Sequence, residues 1–222
     1  MRTKRILKVL CIFFILLFIY PFNGKYVLAE NTESKKIILV DPGHGGIDSG
    51  AKSKSGTLEK DINLQISLKL GEKLKEEGYE VVFTREDDSE ISRKKAKDLK
   101  ARCDMKQDKK CDAFISIHQN TFPQESCFGA QVWYADNDSS RNFAELAQNS
   151  LKENINDGNK RVAKPAKDQY KILRDSYSGP SILVECGFLS NNKEEKMLKT
   201  DEHQNDIVDA IVKAVNEYFS EK

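Results

Sequence analysis

Ile37 to Gly46 reads IILVDPGHGG: four apolar residues closed by Asp-Pro-Gly and followed at once by a histidine. A short apolar run bounded by turn residues is a buried strand running into a turn. The stretch that follows, Leu58 to Gly78, carries Ile62, Ile66, Leu70 and Leu74 at a spacing of four. Part of it also alternates like a strand, but it is too long for one, so it predicts a well-buried helix ended by Gly78. A strand then a helix is the first unit of a repeating order. Tyr79 to Thr84 (YEVVFT) reads as the next strand and Ser92 to Gln107 as a charged helix with a solvated face. Strands are expected at Ala113 to Ile117, Gly129 to Tyr134 and Ser181 to Val184. A helix is expected from about Ser140 to Asn154, then a Gly/Asn/Lys loop. Ile207, Val208, Ile211, Val212, Val215, Tyr218 and Phe219 form the apolar stripe of a closing helix. Strands alternating with helices make an α/β fold: a single domain with a largely parallel mixed sheet flanked by helices on both faces.

Upstream of this domain the chain changes character. MRTKRILK is basic, and Val9 to Tyr20 is wholly apolar. That run is well short of the roughly 20 residues a membrane span needs, but it suits the core of a secretory leader. Val27-Leu28-Ala29 offers a small-residue cleavage site. Residues 1–29 are therefore expected to be a signal peptide or an N-terminal membrane anchor, residues 30–36 a linker and residues 37–222 the folded domain. Loss of residues 1–29 removes five basic and no acidic side chains, taking the net charge from +1 to −4. A domain of that sign, without basic clusters interleaved with aromatics, does not bind nucleic acid through its phosphates. Contact with the membrane is expected only through the N-terminal segment. Cys103, Cys111, Cys127 and Cys186 match neither a CxxC metal site nor a dense disulfide framework and are read as buried free thiols.

Two of the three histidines occupy equivalent places. His44 follows the strand IILV and His118 ends the strand AFISI; Glu185 ends SILV, and Glu59 enters the helix after the first strand. In an open α/β sheet, loops at the carboxyl ends of strands converge on a crevice. Two histidines and one carboxylate there could hold one tetrahedral cation with a position left for water, the pattern of catalytic zinc in hydrolases. A second carboxylate could then carry a proton. Spacing alone leaves open which glutamate does which. Plainer readings exist: a hydrogen-bonded structural histidine, a carboxylate favouring a helix dipole, an ordinary strand-end charge, or a phosphate cradle at GHGG. The last lacks the third glycine of the dinucleotide fingerprint.

Five segments taken together carry a resemblance: DPGHGG (Asp41 to Gly46), LEKD (Leu58 to Asp61), TRxxD (Thr84 to Asp88), SIHQN (Ser116 to Asn120) and VECGFLSN (Val184 to Asn191). In this order they resemble the successive motifs of the zinc-dependent N-acetylmuramoyl-L-alanine amidases of type 3, and they span nearly all of the chain from Ile37 onward. The resemblance implies a zinc amidase catalytic domain over residues 37–222, one Zn2+ held by His44, Glu59 and His118, and Glu185 as the catalytic carboxylate. It further implies that Asn120 contacts substrate or a ligand, and that Arg174 holds substrate or Glu185. The segments SRKKAKDLKAR (Ser92 to Arg102) and KRVAK (Lys160 to Lys164) are similar to those of the CwlD-type sporulation amidases. That similarity implies removal of the stem peptide from muramic acid in spore cortex. A partner muramic-acid deacetylase then forms the δ-lactam needed for germination. Peptidoglycan is the implied substrate, and a protein activator an implied partner. Gln119 and Thr121 depart from the small residues often found beside the second histidine. Cys186 lies inside the catalytic motif, but strand alternation turns it away from the face used by Glu185. Two other expectations compete: a non-catalytic wall-binding protein retaining the fold, and a zinc peptidase cutting elsewhere in the stem peptide.

Overall fold

The computed structural model describes residues 34–155 and 158–220. The leader expected at residues 1–29 lies outside the described residues, as does the first part of the linker. The domain alternates β1 (Ile37–Pro42), α1 (Glu59–Glu76), β2 (Glu80–Phe83), α2 (Lys95–Asp108) and β3 (Ala113–Asn120). It continues with β4 (Gln131–Tyr134), α3 (Asp138–Ile155), β5 (Lys164–Pro165), a 3-10 turn (Lys171–Leu173), β6 (Ser181–Phe188), α4 (Asn192–Leu198) and α5 (Asp201–Ser220). No described helix is long and apolar enough to cross a membrane.

Six strands form one sheet in the order β2-β1-β3-β6-β4-β5. All neighbours are parallel except β4, which runs antiparallel to β6. The expected largely parallel mixed sheet is thus present. Because side chains alternate across a strand, each strand splits into two sets. Ile38, Val40, Ile115, Ile117, Ile182, Val184 and Cys186 face a dry layer filled by α1, α3 and α5. Leu39, Phe114 and Leu183 face the other side, under α2 and the 3-10 turn. Further along that second set come Asp41, Ser116, His118 and Glu185, so the polar groups all project from one face of the sheet. Cys186 belongs to the dry face, as its parity predicts.

Helix α1 shows why the four-residue spacing outweighs the local alternation. Ile62, Ile66, Leu70 and Leu74 are all buried. The helix ends in a Schellman motif: Gly78, at φ 95°, donates to Lys75 O, and Tyr79 N donates to Leu74 O at 3.1 Å. Glu59 and Asp61 in its first turn and Lys73 and Lys75 near its last complement the helix dipole.

Helix α2 corrects one expectation. Read as a solvated charged helix, it instead buries Arg102 (2% exposed) and Lys106 (0%). Both cations are fully partnered, which is the condition for burying charge. Lys106 Nζ donates to Ile172 O at 2.6 Å and to Ser181 Oγ at 3.1 Å, lies 2.8 Å from Asp175 Oδ2, and sits 4.0 Å from the centre of the Phe114 ring. The Gly/Asn/Lys loop likewise contains the two-residue strand β5, which pairs with β4.

Candidate metal centre

The crevice at the carboxyl ends of β1, β3 and β6 is a cavity of about 640 Å³ lined by His44, Glu59, His118, Asn120, Tyr170 and Glu185 among others. His118 Nδ1 lies 2.9 Å and His44 Nε2 3.2 Å from the same oxygen, Glu59 Oε1. Among the described residues these three form the one group of His, Cys, Asp or Glu whose donor atoms could converge on a cation, all within 4.8 Å of one another. The imidazoles each keep 18% of their side-chain surface exposed, whereas Glu59 keeps 5%. Both rings are therefore more open to the cavity than the carboxylate they flank.

Backbone geometry makes this convergence possible. His44 adopts φ 61°, a left-handed conformation uncommon outside glycine. Such a backbone persists only where its surroundings hold it. Two buried arginines do so: Arg85 donates to Pro42 O and Gly43 O, and Arg102 to Pro42 O and His44 O, at 2.8–3.0 Å. Two glycines leave room for the donors. A Cβ on Gly43 would lie 2.3 Å from His118 Nε2, and one on Gly50 2.5 Å from Glu59 Oε2.

The other motif residues brace these elements. Thr84 and Ser116 each donate to Asp41 at 2.6 Å, and Arg102 pairs with Asp41 at 2.8 Å. Burial alone would raise the Asp41 pKa. The Arg102 guanidinium and the two hydroxyls outweigh it and hold the carboxyl at about 2. Asp88 accepts from Gly46 N and from Lys60, closing the TRxxD motif onto DPGHGG. Asn63 donates to Gly43 O and accepts from Gln119, so the unusual Gln119 serves as a brace for the first strand's turn.

The electrostatics follow the same arrangement. Burial would push Glu59 up, but two facing imidazoles hold it far below the usual carboxylate range. Burial would lower His118, and the Glu59 carboxylate raises it instead. Glu185 sits beside His118 in the strand register. Burial, with the nearby Glu59 charge, pushes its carboxyl up to about 7 against the opposing pull of His118 and Tyr170.

The donor set suits a metal of zinc's preference: two imidazole nitrogens and one carboxylate oxygen. His44 Nδ1 also lies 3.1 Å from Asp48 Oδ1, the kind of outer carboxylate that fixes a ligand histidine's ring. Sequence reading passed over Asp48, although a carboxylate four residues past the histidine was there to see. It also passed over Tyr170, whose hydroxyl donates to Glu185 Oε1 at 3.1 Å. Asn120 lines the same cavity, its side-chain oxygen accepting from Thr121 N. Arg174 does not reach Glu185: it pairs with Asp168 at 3.3 Å and lines a separate cavity with Asp136, Asn137 and Tyr177.

Residues 38–217 match the family model for N-acetylmuramoyl-L-alanine amidase. The chain is 35% identical over 243 aligned positions to the germination-specific N-acetylmuramoyl-L-alanine amidase of Bacillus subtilis, covering all of this chain and 98% of that one. It is 34% identical to the probable cell wall amidase LytH of Staphylococcus aureus, over 87% of this chain and 64% of that protein. The CwlD amidase of Clostridioides difficile, solved in complex with the GerS lipoprotein, superposes with a TM-score of 0.80 at 39% identity, over 85% of this chain and all of that one. A set of five motifs folded into one braced crevice and matches covering nearly the whole domain agree: the chain belongs to the N-acetylmuramoyl-L-alanine amidase family.

Proposed function

We propose that this protein hydrolyses the amide bond between N-acetylmuramic acid and L-alanine in peptidoglycan, using one zinc ion held by His44, Glu59 and His118 and a proton carried by Glu185. The observation that supports it most is the convergence of two imidazoles on Glu59 Oε1 with a second glutamate at the neighbouring strand position. When bound, zinc supplies Lewis acidity toward a carbonyl oxygen and toward water. The chain's own residues do the rest. Glu185, on the floor of the cavity, accepts a proton from the attacking water. It then gives that proton to the alanine nitrogen as the carbon–nitrogen bond breaks, leaving a lactyl carboxylic acid and a free amine. Water is consumed, and Glu185 ends as it began. Asp48 orients His44, and Asn120 presents polar groups to the substrate from the end of β3.

Family membership and the likeness to a germination-specific amidase and to CwlD support a place in spore cortex. There the exposed lactyl carboxyl would be the substrate of a deacetylase-linked lactam closure. Residues 1–29, basic and then apolar, would carry the domain across the cytoplasmic membrane as a cleaved leader or an anchor. The GerS lipoprotein in the CwlD complex supports a protein partner for this domain.

Mass spectrometry of muropeptides incubated with the zinc-loaded domain tests the reaction. Free stem peptide with an L-alanine amino terminus is expected. A shortened stem still attached to muramic acid would mark a carboxypeptidase, and unchanged muropeptides a binding module.

A further inference from the structure

Glu185 is held in an asymmetric way that the reaction as described does not explain. Its Oε1 accepts the Tyr170 hydroxyl at 3.1 Å, whereas Oε2 is buried and has no hydrogen-bond partner among the described residues. A buried polar atom without a partner carries a cost, and in a native fold it calls for a reason. Here Oε2 is the oxygen that no described residue holds, on a side chain that lines the crevice.

We infer that Tyr170 is a positioning residue for Glu185: its phenol holds one carboxylate oxygen and fixes the carboxylate plane, leaving the other oxygen, which no described side chain engages, to carry the proton. This rests on the reading of Glu185 as proton carrier. The phenol, ordinarily ionising near pH 10, stands as donor and the carboxylate as acceptor at neutral pH. Without it, rotation about the last side-chain torsion would be opposed by little, because terminal sp3–sp2 torsions are broad. A carboxylate that wanders spends less time in the geometry that proton transfer needs.

The support behind Tyr170 is built for fixed placement. Tyr170 caps the 3-10 turn, and its ring lies 5.4 Å from that of Trp133 on β4. The carbonyl of Ile172, two residues on, is bonded by the fully buried Lys106. The short 3-10 turn is thus tied to α2 on one side and to the sheet on the other. This gives the buried lysine of α2 a purpose, since it anchors the segment that carries the phenol.

The test compares Tyr170→Phe in two backgrounds, on the full chain with zinc bound. In the wild-type background, kcat on muropeptide should fall about tenfold or more, the scale of losing a hydrogen bond to a charged group. KM should stay within about twofold, and zinc content by metal analysis should not change. In the Glu185→Gln background, the same substitution should cost nothing further, because the group it positions is gone. Wild-type kcat in Tyr170→Phe would overturn the inference. So would an equal loss in both backgrounds, or a raised KM at unchanged kcat, which would make the phenol a structural or substrate-binding group. Failure of the underlying reading looks different: Glu185→Gln alone would turn over normally.

Discussion

The two faces of the sheet are built from the same strands by opposite rules. On one face Ile38, Val40, Ile115, Ile117, Ile182 and Val184 meet α1, α3 and α5 in a layer that is mostly apolar, with the Asn63–Gln119 and Gln148 hydrogen bonds at its edges. On the other, the strands begin apolar, with Leu39, Phe114 and Leu183, and end in Asp41, Ser116, His118 and Glu185. There the helix laid over them buries Arg102 and Lys106. The dry face is stabilised by area removed from water, which tolerates small errors of shape. The polar face depends on each buried charge having its partner, and it tolerates few. Along the strands, apolar packing and site residues are therefore separated by the two-residue period, while Glu59 and Asn63 reach the site from the start of α1.

Arg102→Met should do the most damage, and on the polar face. It leaves Asp41 buried without its cation, frees the carbonyl of His44 and leaves that of Pro42 to Arg85 alone. Removing one partner of a buried pair costs about 3–5 kcal/mol. Urea unfolding should show that loss, together with lower turnover as the His44 loop loosens. Leu70→Ala on the dry face is the matched control. It should cost about 2–5 kcal/mol while turnover per folded molecule stays near normal, and a large fall in kcat there would deny that the faces are separate.

Acid sharpens the contrast. Asp41 is held at about 2, below its ordinary 3.8. A depressed carboxyl contributes stability that is complete above the unfolded pKa and is lost as pH falls through the folded one. About 2 kcal/mol should therefore disappear between roughly pH 4 and pH 2. Asp41→Asn should flatten the stability profile in that window, whereas Leu70→Ala should lower the whole curve without changing its slope.

Cys186→Ala should do least. Cys186 is next to Glu185 in sequence but opens onto the dry face. The expected cost is about 1 kcal/mol, the scale of removing one methyl-sized group, with full zinc content and near-normal turnover. Loss of metal would put the thiol in the centre after all.

What the sequence disclosed follows from the same division. The dry face announces itself through Ile62, Ile66, Leu70 and Leu74 and through the apolar runs of the strands, because hydrophobic periodicity needs no partner to be recognised. His44, His118 and Glu185 were legible because each terminates such a run. Arg102 and Lys106 were not. A buried cation looks like a solvated one until its partners, Asp41 and Ile172, arrive from other parts of the chain. Tyr170 lies in a segment with no periodicity, so its approach to Glu185 depends on folding of the whole. Arg174, carried over by resemblance, sits one short turn too far along to touch that carboxylate.

In the proposed mechanism His44, Glu59 and His118 hold the ion while Glu185 moves the proton. Zinc content and turnover of Glu185→Gln and Glu59→Gln, measured side by side, test it most directly. Glu185→Gln should keep its zinc and lose about 10²–10⁴-fold in rate, and Glu59→Gln should lose the zinc itself. The reverse pattern, metal lost from Glu185→Gln and kept in Glu59→Gln, would contradict the assignment, and normal turnover in Glu185→Gln would contradict the mechanism.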